Sequence, residues 1–259
     1  MKNGSEYSWQ KPPLDLRLEK GHLHVWRAYV PDFVPWLGQL ADIASPEERF
    51  IASAAGNSLK KATRIFGRAA MRTLISRYTG IPSNQLKFVV SPYGRPELEI
   101  SMGLAHLQFN VSHSRDWYVA AFGNSLQVGI DVEYVDNDFP IIEVATRFLA
   151  PKEVALLNVS NEETRQRLFF EIWVRKEAYL KAIGKGLTLP LDSFEVPLSP
   201  TTLSTILRNG AARKGEIETG LLFSNVPVHP DYAASVVTSP PPTAVGLFDW
   251  PPSTILGTE

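Results

Sequence analysis

The chain has 259 residues, of which 44% are hydrophobic and 20% charged, as is typical of a globular protein with one large core or two smaller ones. Its formal net charge of −1 gives no sign of a protein that binds nucleic acid or a membrane surface. Because there is no cysteine, disulfides, thiolate metal sites and a cysteine nucleophile are excluded. Any metal would be held mainly by carboxylates, which favours a hard cation such as Mg²⁺.

The N-terminal residues are polar and lack the apolar core of a signal peptide. No apolar run elsewhere approaches the ~20 residues that a membrane-spanning helix needs. We therefore expect a cytoplasmic protein without a membrane or nucleic-acid partner, and we take it to be a monomer.

The first half of the chain begins with a predicted strand over residues 22–30, which are rich in β-branched and aromatic side chains. Residues 45–48, SPEE, are typical of a helix start, since serine caps the first turn and carboxylates favour its positive end. Residues 59–79 predict a long helix with one apolar stripe, ended by Gly80. The other face of this helix is predicted to carry Lys60, Lys61, Arg64, Arg68 and Arg72.

Further strands are predicted for residues 86–90, 107–112 and 118–122, and the turn at 123–125 is a candidate junction between two halves. The second half is predicted to begin with a strand over residues 126–133. The elements predicted after it are helices around 141–149, from 151 onwards and over about 164–183, the last closed by Gly184 and Gly186, and strands over 194–198, 220–223 and 232–237. The proline-rich tail from residue 239 is expected to be loosely ordered or to pack as an extension. This mixture of elements predicts an α/β or α+β fold.

The most specific local pattern is LQVGIDVE over residues 126–133. Alternation along a strand places Asp131 and Glu133 on one face, ~7 Å apart at Cα, where both can reach one cation. Gly129 shares that face and leaves space for a neighbour to approach. The alternative interpretation is an edge strand with a solvated acidic face, which is the commoner origin of an isolated pair of this kind.

A second pattern, WVRKEAYLK, lies in the late helix over residues 173–181. Glu177 and Lys181 are four residues apart on one helix face, which in most proteins is only a surface ion pair. Here three lysines surround one carboxylate at a glycine-rich helix end, and this arrangement suits a metal-bound polyphosphate.

A third pattern, FNVSHS over residues 109–114, places two hydroxyls and an imidazole at the end of a strand. These groups could meet a phosphate there. The alternative is that Ser112 and Ser114 only cap a turn and that His113 is merely exposed.

These three patterns occur in the order and spacing of the Sfp-type 4′-phosphopantetheinyl transferases, and the sequence resembles that family from about residue 45 to about residue 237. YGRP at residues 93–96 resembles the family's glycine-lysine-proline turn, and residues 64–78 resemble its arginine-rich helix. The resemblance implies a pseudo-dimer of two similar α/β halves in one chain, with coenzyme A in the cleft between them. We expect the halves to span residues 1–125 and 126–259.

The resemblance also implies a reaction, in which the 4′-phosphopantetheine arm of coenzyme A moves to a serine of an apo acyl, peptidyl or polyketide carrier protein. Adenosine 3′,5′-bisphosphate is the other product. The implied metal is Mg²⁺, although Mn²⁺ would suit the same ligands. The implied metal ligands are Asp131, Glu133 and Glu177. The implied catalytic residues are Asp131, Lys181 and Glu177, the last as a candidate general base. The implied contacts of coenzyme A are Arg64, Gly94, Arg95, Pro96, Ser112, His113, Asp131, Lys176, Glu177 and Lys181.

Two positions depart from the family pattern. Arg95 stands where lysine is usual, which keeps the charge but presents a planar guanidinium. The position expected to hold the 3′-phosphate falls on Thr63, so Arg64, one place later, is the best candidate, ahead of Arg49 and Lys60. Two other functions stay open: a degenerate member that binds coenzyme A or a carrier without catalysis, and a different Mg²⁺-dependent enzyme that cleaves a diphosphate ester.

Overall fold

The computed structural model describes residues 8–54, 58–91, 96–184, 189–197, 201–202 and 220–253. Its strands are β1 (His22–Tyr29), β2 (Phe88–Val90), β3 (Pro96–Leu98), β4 (Leu107–Ser114), β5 (Trp117–Asn124), β6 (Gln127–Tyr134), β7 (Thr201–Thr202), β8 (Leu222–Asn225), β9 (Tyr232–Ser239) and β10 (Ala244–Asp249). Its α-helices are α1 (Leu37–Ile43), α2 (Pro46–Ser53), α3 (Ser58–Thr79), α4 (Ile141–Phe148), α5 (Pro151–Val159) and α6 (Glu162–Ile183). Short 3₁₀ segments lie at Val30–Trp36, Ser83–Gln85, Ile100–Met102 and Leu191–Ser193.

The strands form two four-stranded sheets and a separate hairpin of β2 and β3. The first sheet has the order β10-β1-β5-β4, and the second has the order β6-β9-β8-β7. In the first sheet β1 pairs antiparallel with β5 and parallel with β10. In the second sheet β6 pairs antiparallel with β9, with Asp131 opposite Ser235. Strands β4 and β6 are therefore edge strands of different sheets.

Apolar side chains divide into three clusters, because alternate residues of the strands face opposite sides. The cluster between α3 and the first sheet includes Trp26, Phe66, Leu74, Tyr118 and Phe122. The cluster between the two sheets includes Leu23, Val25, Val119, Val128, Ile130, Val132 and Val236. The cluster between α6 and the second sheet includes Phe169, Ile172, Ala178, Phe223 and Val237. The layers are thus helix, sheet, sheet and helix, as an α/β fold of two halves requires.

The two halves repeat the same succession of elements. Strand β1 begins at His22 and β6 at Gln127, and both are eight residues long. The short helix α2 begins at Pro46 and its counterpart α5 at Pro151, so both elements recur at the same spacing. A helix of 22 residues follows in each half, α3 in the first and α6 in the second. The predicted α/β fold with two similar halves is confirmed.

The helix boundaries follow the capping residues that the sequence indicates. Ser45 accepts a hydrogen bond from the backbone N–H of Glu48, and the Glu48 carboxylate accepts one from the backbone N–H of Ser45. Helix α3 ends one residue before Gly80, which has φ +72°. Helix α6 begins after the N-cap Asn161 and ends before Gly184, which has φ +67°. Gly186 lies outside the described residues.

Of the two arrangements expected for the tail, its described residues show the second, since they pack as an extension of the first sheet. Strand β10 pairs in parallel with β1 over six residue pairs. The guanidinium of Arg27 donates to the Asp249 carboxylate at 2.7 Å, and the backbone N–H of Trp250 donates to the backbone carbonyl of Arg27. Strand β10, which lies in the expected second half of the chain, therefore adds a strand to the sheet of the first half.

Two smaller observations complete the comparison with the predicted elements. Residues 194–197 are not part of a strand, and residue 198 lies outside the described residues. None of the described helices is both long and apolar enough to cross a membrane.

Helix α6 lies directly against strand β6 at Gly129. A Cβ atom at this position would fall 2.1 Å from the carbonyl oxygen of Ala178 and 2.4 Å from the backbone nitrogen of Ala182. Both atoms belong to the helix backbone, which cannot move aside as a flexible side chain would. The space that the sequence predicts beside Gly129 is therefore filled by the helix itself.

The substitution Gly129→Ala should displace α6 and lower the free energy of unfolding by about 3 kcal/mol or more, because overpacking here meets backbone atoms. Urea unfolding measures this loss. Gly38→Ala is the matched control, since a Cβ at Gly38 meets nothing within 4 Å and α1 should gain up to about 1 kcal/mol. Equal stabilities of the two variants would contradict the close contact.

Candidate active site

The candidate site lies where the edge strands β4 and β6 run side by side. The two strands belong to different sheets, and polar side chains of β4 form hydrogen bonds across the boundary. At the buried end, Asn110 Oδ1 accepts a hydrogen bond from the backbone N–H of Ile130 at 3.0 Å. Strands β4 and β6 are not paired by backbone hydrogen bonds in one sheet, and this side-chain bond takes the place of one of them. It fixes the register between the two strands.

The two acids of β6 each receive a hydroxyl from β4. Ser112 Oγ donates to Asp131 Oδ1 at 2.7 Å, and Ser114 Oγ donates to Glu133 Oε2 at 2.8 Å. Asp131 is 3% exposed, whereas Glu133 is half-buried nearer the surface. The pair is therefore held at the junction of the halves and does not form a solvated acidic face.

Helix α6 brings Lys181 and Glu177 to the same place, one helical turn apart. Lys181 Nζ lies 2.6 Å from Asp131 Oδ1 and 3.1 Å from both Ser112 Oγ and the carbonyl oxygen of Ile130. The lysine thus joins α6, β6 and β4 in one hydrogen-bonded group. This geometry follows from the close approach of α6 to Gly129.

The electrostatics of the two glutamates show that negative charges crowd together here. Burial, and then the charge of Asp131, raise the pKa of Glu133 to about 7, although the hydrogen bond from Ser114 and the charge of Lys181 oppose this. Burial and Asp131 also raise the pKa of Glu177, with Lys181 opposing. Carboxylates that repel one another in this way are stabilised by an added cation.

One buried atom also points to an added cation. Asp131 Oδ2 is buried and has no hydrogen-bond partner among the residues that the structure describes. In the described ranges, no group of three or more histidine, aspartate or glutamate side chains is arranged to hold a metal ion as it stands. Asp131, Glu133 and Glu177 fit a hard cation by chemistry and position, but their side chains are not drawn together as a closed ligand set.

His113 and Arg64 lie within electrostatic reach of this group. Burial and then the positive charge of Lys181 lower the pKa of His113, with a smaller effect of Arg64 in the same direction, while Asp131 opposes them. His113 is therefore neutral at neutral pH. The guanidinium of Arg64 lies at the surface, 3.4 Å from the carbonyl oxygen of Ile51. By contrast, Arg49 is bound to the backbone carbonyls at the end of α1.

The predicted nucleotide turn is only partly described. Pro96 begins β3 and pairs with Val90, whereas Gly94 and Arg95 lie outside the described residues. Their predicted contacts with coenzyme A stay predictions.

Lys176 is not brought to the site, which corrects its predicted contact with phosphate. Its side chain is fully buried and forms an ion pair of 2.8 Å with Glu153 of α5. It also donates to the carbonyl oxygens of Leu191 and Phe194. Because residues 176 and 177 point to different sides of α6, only Glu177 faces the acids of β6.

A similar correction applies to Arg72 in the first half. The sequence places it on the charged face of α3, but its side chain is buried and forms a 2.8 Å ion pair with Glu48. It also donates to the carbonyl oxygens of Ser83 and Leu86. Arg72 and Lys176 therefore perform the same structural task in the two halves.

Ser114 was predicted to meet a phosphate or to cap a turn, but its hydrogen bond to Glu133 was not predicted, and Asn110 was not predicted as part of the site. The signal was present, because both lie on the same face of β4 as Ser112 at steps of two residues. The sequence does not show that this face of β4 lies against strand β6 of the other half.

Taken together, the buried carboxylate of Asp131, the half-buried ones of Glu133 and Glu177, a lysine and a nearby arginine have the chemistry that a polyphosphate ester and a divalent cation would need. Such a set of groups at the boundary between two halves of one chain fits the class of phosphoryl-group transferases. The comparisons with known proteins identify the family.

Residues 28–124 match the family model described as 4′-phosphopantetheinyl transferase, N-terminal, and residues 127–237 match that of the 4′-phosphopantetheinyl transferase superfamily. The 4′-phosphopantetheinyl transferase HetI of Nostoc sp. is 32% identical over 206 residues, which cover 76% of this chain and 82% of HetI. Sfp of Bacillus subtilis, also named a 4′-phosphopantetheinyl transferase, is 29% identical over 73% of this chain and 88% of its own. Human L-aminoadipate-semialdehyde dehydrogenase-phosphopantetheinyl transferase is 30% identical over 68% of this chain and 59% of its own.

The chain therefore belongs to the 4′-phosphopantetheinyl transferase superfamily, of the Sfp type. The predicted family and enzyme class are confirmed. The two matched regions also meet at the turn between β5 and β6, where the sequence places the junction of the halves.

The raised pKa of Glu133 predicts how the stability of the metal-free protein depends on pH. Between pH 4.5 and about 7 the folded state binds more protons than the unfolded state, so the free energy of unfolding should fall as pH rises. Glu133→Gln removes this loss and should be more stable than the parent by on the order of 1–2 kcal/mol at pH 8, and by less at pH 5. Urea unfolding in EDTA measures both values, with the exposed Glu97→Gln as control. A difference that does not change with pH would contradict the assignment.

The corrected role of Lys176 predicts a loss of stability. Lys176→Met leaves Glu153 buried without its cation and should lower the free energy of unfolding by about 3–5 kcal/mol. Lys152→Met is the control, because the Lys152 side chain is 81% exposed and its surface ion pair contributes at most about 1 kcal/mol. A rise in the KM for coenzyme A without any loss of stability would restore the original prediction of a phosphate contact.

Proposed function

We propose that this enzyme transfers the 4′-phosphopantetheine arm of coenzyme A to a serine of an apo acyl or peptidyl carrier protein, and releases adenosine 3′,5′-bisphosphate. The observation that carries the proposal is the convergence of β6 and α6, which sets Asp131 and Glu133 beside Glu177 and Lys181 at the boundary between the halves. A carrier domain of fatty-acid, polyketide or peptide synthesis would supply the same acceptor, a serine hydroxyl.

In this proposal Asp131, Glu133 and Glu177 hold Mg²⁺, and Mn²⁺ suits the same oxygens. The partnerless buried oxygen of Asp131 and the raised pKa values of both glutamates support the assignment. When bound, the ion supplies positive charge to the diphosphate of coenzyme A and lowers the repulsion between its oxygens and the attacking hydroxyl.

The protein residues then have distinct tasks. The serine oxygen of the carrier attacks the β-phosphorus, and the bond between that phosphorus and the bridging oxygen breaks as the new ester forms. Glu177 is the candidate to accept the serine proton, because its raised pKa makes it a stronger base than an exposed glutamate. Lys181 stabilises the negative charge that develops on the departing adenosine bisphosphate.

The remaining contacts of coenzyme A are proposed along the cleft wall. Ser112 lies between Asp131 and Lys181, where its hydroxyl can turn to a phosphate oxygen. Neutral His113 serves as a hydrogen-bonding group, and Arg64 is the candidate for the 3′-phosphate. Pro96, with Gly94 and Arg95 before it, would lie against the nucleotide. Because one chain supplies both sides of the cleft, we propose that the enzyme works as a monomer, and we expect it in the cytoplasm.

The substitution Asp131→Asn tests the proposal, since it keeps the shape of the side chain and removes its charge. Carrier modification should fall by at least about 10³-fold, because both the cation and Lys181 lose their shared partner. Mass spectrometry of a panel of apo carriers, incubated with coenzyme A and Mg²⁺, measures the added arm. The exposed Asp42→Asn is the control and should keep full activity.

The same assay separates the alternatives. Binding of coenzyme A without a mass shift on any carrier would indicate a degenerate member of the family. Release of adenosine bisphosphate without a carrier would indicate a different diphosphate-cleaving enzyme.

A further inference from the structure

Ser114 is the last residue of β4 and lies beside the outer acid of β6. Its hydroxyl donates to Glu133 Oε2 at 2.8 Å and accepts a hydrogen bond from the backbone N–H of Tyr134 at 3.1 Å. The backbone donor fixes the orientation of the hydroxyl, because an oxygen that accepts from Tyr134 directs its own proton elsewhere. That proton is directed at the carboxylate.

The two acids of β6 differ in how firmly they are held. Asp131 receives hydrogen bonds from both Ser112 and Lys181. Among the described residues, the Glu133 carboxylate has a single hydrogen-bond donor, the hydroxyl of Ser114. The direction in which Glu133 points therefore depends on one side chain that belongs to the other half of the molecule.

The surroundings of Ser114 hold this donor in place. The guanidinium of Arg115, the next residue, lies 3.3 Å from the ring centroid of Tyr134 and forms a 3.1 Å ion pair with Asp136. The Tyr134 ring also packs edge-on against Tyr232. The end of β4 is thus fastened to the segment that follows Glu133, so the distance between hydroxyl and carboxylate is well defined.

We propose that Ser114 is a positioning residue for metal binding, which orients the Glu133 carboxylate across the boundary between the two halves. It does not touch the reacting atoms. The inference rests on the metal site of the proposed function. A hydroxyl that donates to a ligating carboxylate fixes the oxygen that is left for the metal, and loss of such an outer partner costs ~10–100-fold in metal affinity.

The test is a titration with Mn²⁺, followed by the electron paramagnetic resonance signal of the free ion in the presence of coenzyme A. Ser114→Ala should raise the Kd of Mn²⁺ by ~10-fold or more. Ser114→Thr keeps the hydroxyl on a residue that strands tolerate, and should bind Mn²⁺ within about threefold of the parent. Ser101→Ala is the matched control, because Ser101 donates to Glu99 at 2.6 Å on the surface far from the site in sequence, and its Kd should not change.

Steady-state kinetics provide the second readout. Ser114→Ala should raise the KM for Mg²⁺, while kcat at saturating Mg²⁺ and the KM for the carrier stay near the parent values. A purely structural role would lower kcat at every Mg²⁺ concentration. Thermal unfolding checks that the variant is folded, and Ser114→Cys, with a weak donor of similar volume, replaces it if alanine is not tolerated.

Each outcome bears on one of the two proposals. An unchanged Kd in folded Ser114→Ala would overturn the positioning role, and so would a Ser114→Thr variant that binds as weakly as alanine. If the parent protein itself fails to bind Mn²⁺ in the presence of coenzyme A, the proposed metal site is wrong.

Discussion

Helix α6 can rest on strand β6 only because residue 129 has no side chain, and the arrangement of the site depends on this contact. The helix backbone at Ala178 and Ala182 occupies the space that any larger residue would need. Lys181 and Glu177, which adjoin these two alanines in the chain, are thereby carried to the acids of β6. A helix displaced by the width of one methyl group would separate Lys181 from Asp131, which lie 2.6 Å apart.

The first half shows what the same framework becomes without that contact. The position in β1 that corresponds to Gly129 is His24, and the one that corresponds to Asp131 is Trp26. The hydroxyl of Tyr78 in α3 lies 2.9 Å from His24 Nδ1 and 2.9 Å from Trp26 Nε1. Burial lowers the pKa of His24 to about 4, so the group is uncharged at neutral pH. In the first half, aromatic side chains thus fill the space that the charged groups Asp131 and Lys181 occupy in the second half. The described part of β1 therefore has no counterpart of the acid Asp131.

Local patterns in the sequence were sufficient for most elements, the caps at Ser45 and Gly184, and the shared face of Asp131 and Glu133. They were insufficient where a side chain is used by a distant element. The sequence placed Arg72 on an exposed helix face and Lys176 beside a phosphate. Helical periodicity gives no information on their actual partners, which are a glutamate of the preceding short helix and carbonyl groups of a later loop. The hydrogen bond from Ser114 to Glu133 could not be predicted for the same reason, since Glu133 lies on a strand of the other half. Contacts between halves are set by tertiary packing, which no window of neighbouring residues contains.

The pairing of β10 with β1 has a consequence for how the chain is made. Arg27 and Asp249, joined across these two strands, are 222 residues apart, so the first sheet lacks one of its four strands until the segment that contains Asp249 has been synthesised. During synthesis β1 presents an open edge with unpaired backbone groups, which other chains could use. Among the described strands, the last to be synthesised is therefore the one that covers the open edge of the first sheet.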